Sequence, residues 1–328
     1  MISPHTLELT METDKHTFDR WRDSVKNNKS YNKEEHKDFA FSKDGMIVWY
    51  HKTEFKTKIK LHVNPSKVLE LDDLIKLWKP NEKNIAESLT KLDELVDSYF
   101  NSEHEIEDFR LTRIDFTKNV RLDDEEKVSA YIKALYNIRK VKGFSPKYGR
   151  SEEWYDDDNS FDLEGNSNGV EFTAYDKAAA LKNRKEKAER IEKAKGLLRL
   201  EVKLTTQKAI RSYTDEDNTV KRIIDLCKQS REIFMDTFLR VVPFGDLYKK
   251  DKVVKIIHEN VTDKYLKRKM LLLLDLIPKK KSLHQAQKAL NDRNIERILE
   301  EFYRHNVSPV TLSKRHKVKH LKSLYTFL

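Results

Sequence analysis

Two short stretches carry the residue types best suited to chemistry. Thr112-Arg113-Ile114-Asp115 alternates polar and apolar positions, and so does Arg199-Leu200-Glu201-Val202-Lys203. Successive side chains of a strand point to opposite faces, so Arg113 and Asp115 share one face while Ile114 and Phe116 share the other. Arg199, Glu201 and Lys203 group in the same way, opposite Leu198, Leu200, Val202 and Leu204. Carboxylates on rigid strands are the oxygen ligands that Mg2+ or Mn2+ takes in phosphoryl transfer. The bases beside them would neutralise phosphate charge in a pentavalent transition state. The same pattern also describes an exposed sheet face with ordinary Asp–Arg and Glu–Lys pairs.

Tyr175-Asp176-Lys177 closes one strand and opens a basic segment. Lys177 suits a phosphate contact, and Tyr175 is either a nucleophile or a packed aromatic. Tyr148 and Tyr155 lie in the loop KYGRSEEWYDDD, where a nucleophile is easily deployed, although the acids at 156–158 are a poor environment for DNA. Those acids read as a solvated loop or a self-inhibitory mask. The eleven histidines show no metal-ligand spacing: His316 and His320 are four apart but sit among five bases, which would repel a cation. They read as part of a phosphate-facing patch. Seven glycines and no Gly-rich loop exclude a P-loop ATPase. No cysteine cluster exists for zinc. The single cysteine, Cys227, sits at helical apolar spacing in RIIDLCKQS and reads as core. It cannot form an internal disulfide, so a reducing cytoplasm is the expected location.

The elements that must position these groups follow from periodicity. Strands are expected at His5–Met11, Met46–His51, Lys58–Val63, Phe109–Val120, Val170–Tyr175 and Leu197–Leu204. A turn around Thr53–Glu54 joins the second and third. Helices are expected at His16–Lys26, Val68–Trp78, Ile85–Phe100 and Asp123–Lys140, and a basic helix at Ala178–Lys195, stopped by Gly196. Asn64-Pro65-Ser66 ends a strand and starts a helix, with Ser66 available as a cap. No strand is expected after Thr205. An α+β fold follows: an antiparallel sheet built from two related α+β halves with helices on one face, then a helical C-terminal region. The expected domains are 1–205 and 206–328, with Pro278–Lys281 as a basic linker and a candidate helix-turn-helix from about 282, a pattern many helical bundles share.

Composition narrows the class. The chain has 328 residues with 65 Lys+Arg, 55 Asp+Glu and a formal charge of +10; it is 38% hydrophobic, enough for a packed core. Met270–Leu274 is the longest apolar run and ends at Asp275, far short of a membrane span. The start, MISPHTLELTMETDKH, lacks the pattern of a signal peptide. Charge is segregated: Lys279–Leu328 holds twelve bases against four acids, Ser151–Glu164 seven acids and no base, and Lys177–Lys195 eight bases against three acids. Candidate DNA contacts are therefore Lys182, Arg184, Lys185, Lys203, Lys314, Arg315, Lys317 and Lys319.

The ordered motifs resemble the plasmid rolling-circle replication initiators of the Rep_trans type. Related conjugative-element relaxases and replication proteins of small Firmicute phages are similar. Over residues 46–204 the resemblance rests on Asn64-Pro65-Ser66-Lys67, Thr112-Arg113-Ile114-Asp115, Tyr175-Asp176-Lys177 and Arg199-Leu200-Glu201-Val202. The stretch NVSPVTL is similar to the C-terminus of phage-type members. The resemblance implies a sequence-specific binder of duplex and single-stranded origin DNA that nicks one strand and works with a host helicase, with a dimer as one assembly to test. A tyrosine would attack the scissile phosphate, a divalent metal would polarise it, and the phosphotyrosine bond would conserve the energy for rejoining. Asp115 and Glu201 match the family's metal carboxylates, Asn119 stands where a second acid is usual, and Arg113, Lys177 and Arg199 match basic positions. The family's tyrosine falls upstream of Tyr-Asp-Lys, where this chain has NSFDLEGNSNG and its only aromatic is Phe161. Either Tyr155, Tyr148 or another tyrosine serves, or nicking is lost. A non-catalytic origin-binding replication factor or repressor on the same scaffold is thus the alternative; a generic phosphate or RNA adhesive is a third reading.

Overall fold

The computed structural model describes residues 1–26, 39–52, 56–70, 75–100, 103–147 and 159–328. In chain order the elements are β1 (Ser3–Thr13), α1 (Lys15–Lys26), β2 (Phe39–Lys43), β3 (Met46–Lys52), β4 (Thr57–Val63), α2 (Pro65–Val68), α3 (Glu82–Phe100) and β5 (Arg110–Arg121). They continue with α4 (Glu125–Tyr136), β6 (Phe144–Pro146), β7 (Ser160–Gly165), β8 (Val170–Asp176), α5 (Lys177–Asn183), α6 (Ala188–Ala194) and β9 (Leu197–Leu204). The remainder is α7 (Gln207–Arg211), α8 (Thr219–Lys228), α9 (Ser230–Val241), β10 (Leu247–Tyr248), α10 (Lys250–Asn260), α11 (Lys264–Lys280), α12 (Leu283–Leu290), α13 (Ile295–Arg304) and β11 (His320–Leu321). The expected α+β class, antiparallel sheet and helical C-terminal region are borne out. Among the described residues no helix is long and apolar enough to cross a membrane.

The chain packs as two units, each assembled from separate segments. The first comprises Met1–Thr117, Asn168–Val170 and Val202–Phe234. Its strands run in the order β2-β3-β4-β1-β5. Antiparallel register sets Glu8 opposite both His62 of β4 and Arg113 of β5, and Thr6 opposite Asp115. Alternation then sends Leu7, Leu9, Ile59, Leu61, Ile114 and Phe116 into the core, where all are buried. Helices α1 and α3 meet there through Trp21 and Phe100, whose rings stand 4.9 Å apart edge to face.

The second unit comprises Lys118–Ser167, Glu171–Glu201 and Met235–Leu328. Strands β9-β8-β7-β6 lie side by side in that order. An aromatic chain fills its core: Phe161 lies 6.4 Å from Phe172, Phe172 6.2 Å from Phe238, and Phe238 4.9 Å from Tyr325. The basic C-terminal segment is folded into this core. Leu321 and Leu324 are buried, and Lys322 O accepts from Tyr131 Oη at 2.6 Å.

Several expectations are corrected. Strand β2 lies beyond the sequence expectation, although Asp44-Gly45 joins it to β3 with both residues at positive φ, the two-residue turn that hairpins favour. Between the 123–140 helix and the 170–175 strand the element order allows for one further strand, without bounds; the structure has two there, β6 and β7. Of the helix expected over 68–78, residues 71–74 lie outside the described residues, Val68 closes α2 and 75–78 are not helical; Asn64, not Ser66, caps α2 by accepting from Lys67 N, and Glu70 at φ 57 takes the chain out of that helix. The basic helix of 178–195 is two short helices, α5 and α6, parted where Lys185 adopts φ 54. Pro278 lies inside α11 rather than in a linker, and that helix ends at left-handed Lys281. Strands do occur after Thr205, since β10 pairs with β11. The turn at Thr53–Glu54 lies outside the described residues.

Candidate functional site

In the second unit, β8 and β9 bring Tyr175, Arg199 and Glu201 together. Tyr175 is the penultimate residue of β8, and its hydroxyl donates to Glu201 Oε1 at 2.7 Å. Arg199 is fully buried, and its Nε donates to Asn119 Oδ1 at 2.8 Å. Lys177 opens α5, whose N-cap is Asp176, accepting from Ala178 N and Ala179 N. This cap turns the chain sharply out of β8, so residues two apart in sequence bring a phenol and an amine into one site.

The electrostatics of this cluster are strongly perturbed. Burial first, then the Glu201 carboxylate, push the Tyr175 phenol well above its ordinary range, with Arg199 opposing. Burial, aided by Arg199 and Arg184, brings the Lys177 ammonium down to about 7, against the pull of Glu201 and Glu186. Tyr175 is half-buried, whereas Arg199, Glu201 and Lys177 are all buried. Tyr175 is therefore the most accessible member of the set. A hydroxyl and a carboxylate able to take its proton stand beside a buried guanidinium and a buried amine, the residue types that nucleophilic attack on phosphorus uses.

In the first unit, Asp115 is held by Arg113, which donates to both carboxylate oxygens at 2.7 Å from Nε and Nη2. The Nη1 group of Arg113 reaches Glu8 at 3.2 Å, and Lys60 and His62 approach Glu8 at 3.3 and 3.5 Å. The His62 contact, with Lys60 and Arg113 adding to it against the cost of burial, holds the Glu8 carboxyl at about 2. The sheet face here is a paired network, and Asp115 is buried rather than open to solvent. Sequence reasoning misses Glu8, although the alternation of HTLELTM places it on the polar face.

The expected metal donors do not fit a divalent cation as the side chains stand. Both Asp115 oxygens face a guanidinium, Asn119 Oδ1 accepts from Arg199, and Glu201 accepts from the phenol. Asp115 belongs to the first unit, Glu201 and Asn119 to the second. Among the described residues no group of three or more His, Cys, Asp or Glu side chains could hold a metal. A tight bidentate Arg–carboxylate pair would have to open before Asp115 could ligate.

The remaining candidates scatter. Tyr148 and Tyr155 lie outside the described residues. Phe161 is buried in the aromatic chain and carries no nucleophile. Lys182, Arg184 and Lys185 are exposed around the α5–α6 break, and Lys203 is half-buried on β9. Lys314, Arg315, Lys317 and Lys319 are exposed on the C-terminal segment. Two basic stretches far apart in sequence meet the first turn of α4, where Lys317 N donates to Glu126 at 2.5 Å and Lys195 lies 3.6 Å from Glu125.

The fold is α+β, with a tyrosine–carboxylate–arginine cluster on adjacent strands and an exposed basic C-terminal segment. Residues 9–221 match the Phage_CRI family model, which describes the N-terminal region of a replication-associated protein, and the chain belongs to that family. The replication-initiator resemblance is thereby borne out. A rolling circle replication initiator protein from Geobacillus stearothermophilus is similar at 14% identity and a TM-score of 0.33, over 80% of this chain and 90% of that one. No curated protein matches the chain.

Proposed function

We propose that this protein initiates rolling-circle replication of a plasmid, phage or integrative element by binding origin DNA and nicking one strand, with Tyr175 as the attacking group. The observation that carries this reading is the 2.7 Å hydrogen bond from Tyr175 to Glu201 beside buried Arg199. The phenol is protonated at neutral pH, so attack requires its proton to pass to Glu201 as the oxygen–phosphorus bond forms. Arg199 and Lys177 take up the charge that develops on the non-bridging oxygens. The bond to the 3′ oxygen breaks, the departing 3′ alkoxide takes a proton from solvent water to become the free 3′ hydroxyl, and the 5′-phosphotyrosine left behind retains the energy for rejoining. No step is assigned to a metal, because the donors as placed are engaged elsewhere.

A second reading, a non-catalytic origin-binding factor or repressor, draws support from Phe161 upstream of the Tyr-Asp-Lys motif and from the closed pairing of Asp115 with Arg113. Nicking of a supercoiled cognate-origin plasmid, with and without Mn2+, decides between the two. The expected result is a covalent 5′-phosphotyrosine adduct in the wild type, lost by more than about 1,000-fold in Tyr175→Phe with DNA binding retained. Nicking that survives Tyr175→Phe but not Tyr148→Phe or Tyr155→Phe moves the nucleophile to the 148–158 loop. No adduct from the wild type on any cognate origin leaves the non-catalytic reading.

A further inference from the structure

We propose that a polar pocket at the start of α8, within the first unit, binds phosphate through Arg110, Arg211 and Arg222. The pocket has a volume of about 250 Å³, and Asp217 and Thr219 also line it. Its three guanidiniums come from three elements: the first residue of β5, the last of α7 and the first turn of α8.

The partners of these arginines leave room for an anion. Arg222 is 3% exposed, and its Nε donates to Glu216 O at 2.6 Å. Its two terminal nitrogens reach only Gln207 Oε1 at 3.4 Å and Asp217 Oδ1 at 3.5 Å. Well-formed N–H···O bonds fall at roughly 2.7–3.2 Å, so the outer edge of this buried cation is weakly satisfied. Arg211 has the same Asp217 oxygen at 3.5 Å, so one exposed carboxylate serves two guanidiniums at long range. Arg110 is exposed and makes no ion pair or hydrogen bond through its side chain among the described residues. Of the two other acids that line it, Asp108 is turned to His104 Nδ1 at 2.9 Å and Glu105 N at 3.1 Å, and Glu107 is exposed to solvent.

A tetrahedral oxyanion matches this demand. Guanidinium forks bind phosphate oxygens in bidentate fashion, and the positive end of a helix dipole favours the same charge. Phosphate would displace Asp217 from the cations and supply oxygens at the shorter distances they lack. The ligand is either a backbone phosphodiester or a free phosphate. This site is independent of the tyrosine chemistry and stands or falls separately.

The test uses the full chain, inorganic phosphate and an origin duplex, with Arg110→Gln/Arg211→Gln and Asp217→Asn as variants. All three positions altered are exposed, and melting without phosphate verifies the fold. Phosphate at matched ionic strength should raise the wild-type melting temperature, the double variant should lose that shift, and D217N should bind phosphate several-fold more tightly. In the duplex arm, a plot of log affinity against log salt should lose about 1 in slope per phosphate contact removed. A lost thermal shift with an unchanged salt slope assigns the pocket to free phosphate; a reduced slope assigns it to the DNA backbone. Wild-type behaviour of the double variant in both arms, or weaker phosphate binding by D217N, overturns the proposal.

Discussion

Lys177 is the residue whose protonation ties structure to solution conditions. Its folded state titrates near 7, far below an unfolded lysine, because burial and neighbouring cations disfavour the ammonium. The unfolded chain therefore binds more protons than the folded one between about pH 7 and the ordinary lysine range near 10.4. Stability contributed by this residue rises with pH across that window, and its burial penalty is fully present below 7. Lys177→Met should consequently melt above the wild type at pH 7, with the difference shrinking as pH approaches 10. Parallel melting curves at all pH values would contradict this. The same neutral-to-charged balance means that phosphate entering beside Tyr175 would draw a proton onto Lys177, so DNA binding should take up protons near pH 8.

At the scale of elements, alternation and capping make much of the architecture legible. Strand β9 is readable from LLRLEVKL without error in its bounds, because apolar residues fill one face and charges the other. Strand β7 is not: SFDLEG is short, and its meaning depends on pairing Phe161 with Ala174 across to β8, a non-local fact. The α5–α6 break is invisible because Lys and Glu are good helix formers, and only tertiary packing puts Lys185 into the left-handed region. For the site, strand alternation correctly places Arg199 and Glu201 on one face. It does not reveal that Asp115 is closed off by Arg113, since whether a base on the same face bonds or merely neighbours is decided by rotamers. Gly196 reads as a helix stop, and the structure gives it a second role. It adopts φ 69, and a Cβ there would lie 2.5 Å from Leu122 O, while Leu122 N donates to Gly196 O at 2.7 Å. Gly196→Ala should therefore cost about 1–3 kcal/mol from backbone strain and lost approach, measured by urea unfolding. Full retention of stability would show that the turn relaxes at no cost.

For the whole molecule, the net charge of +10 acquires a different meaning once the C-terminal excess is seen in place. The basic segment is not a loose arm. Tyr325 packs on Phe238 and donates to Val242 O at 2.6 Å, and His320 Nε2 lies 2.8 Å from Asp246 Oδ2. Removing residues 313–328 should therefore lower the melting temperature of the second unit as well as DNA affinity. By contrast, neutralising Lys314, Arg315, Lys317 and Lys319 together should leave melting nearly unchanged and flatten the salt dependence of binding. Equal melting of the truncated and intact proteins would contradict this account.

The interleaving of the two units has a consequence for how the protein comes into being on the ribosome. The first unit draws on residues up to Phe234, and the second needs Tyr325 against Phe238 before its aromatic core is complete. A nascent chain that has emerged through β9 carries Tyr175, Arg199 and Glu201 yet possesses neither unit in full. The tyrosine cluster is thus translated long before it is supported, and its assembly waits on segments made more than a hundred residues later. A polypeptide released early would hold Tyr175, Arg199 and Glu201 without the packing that aligns them.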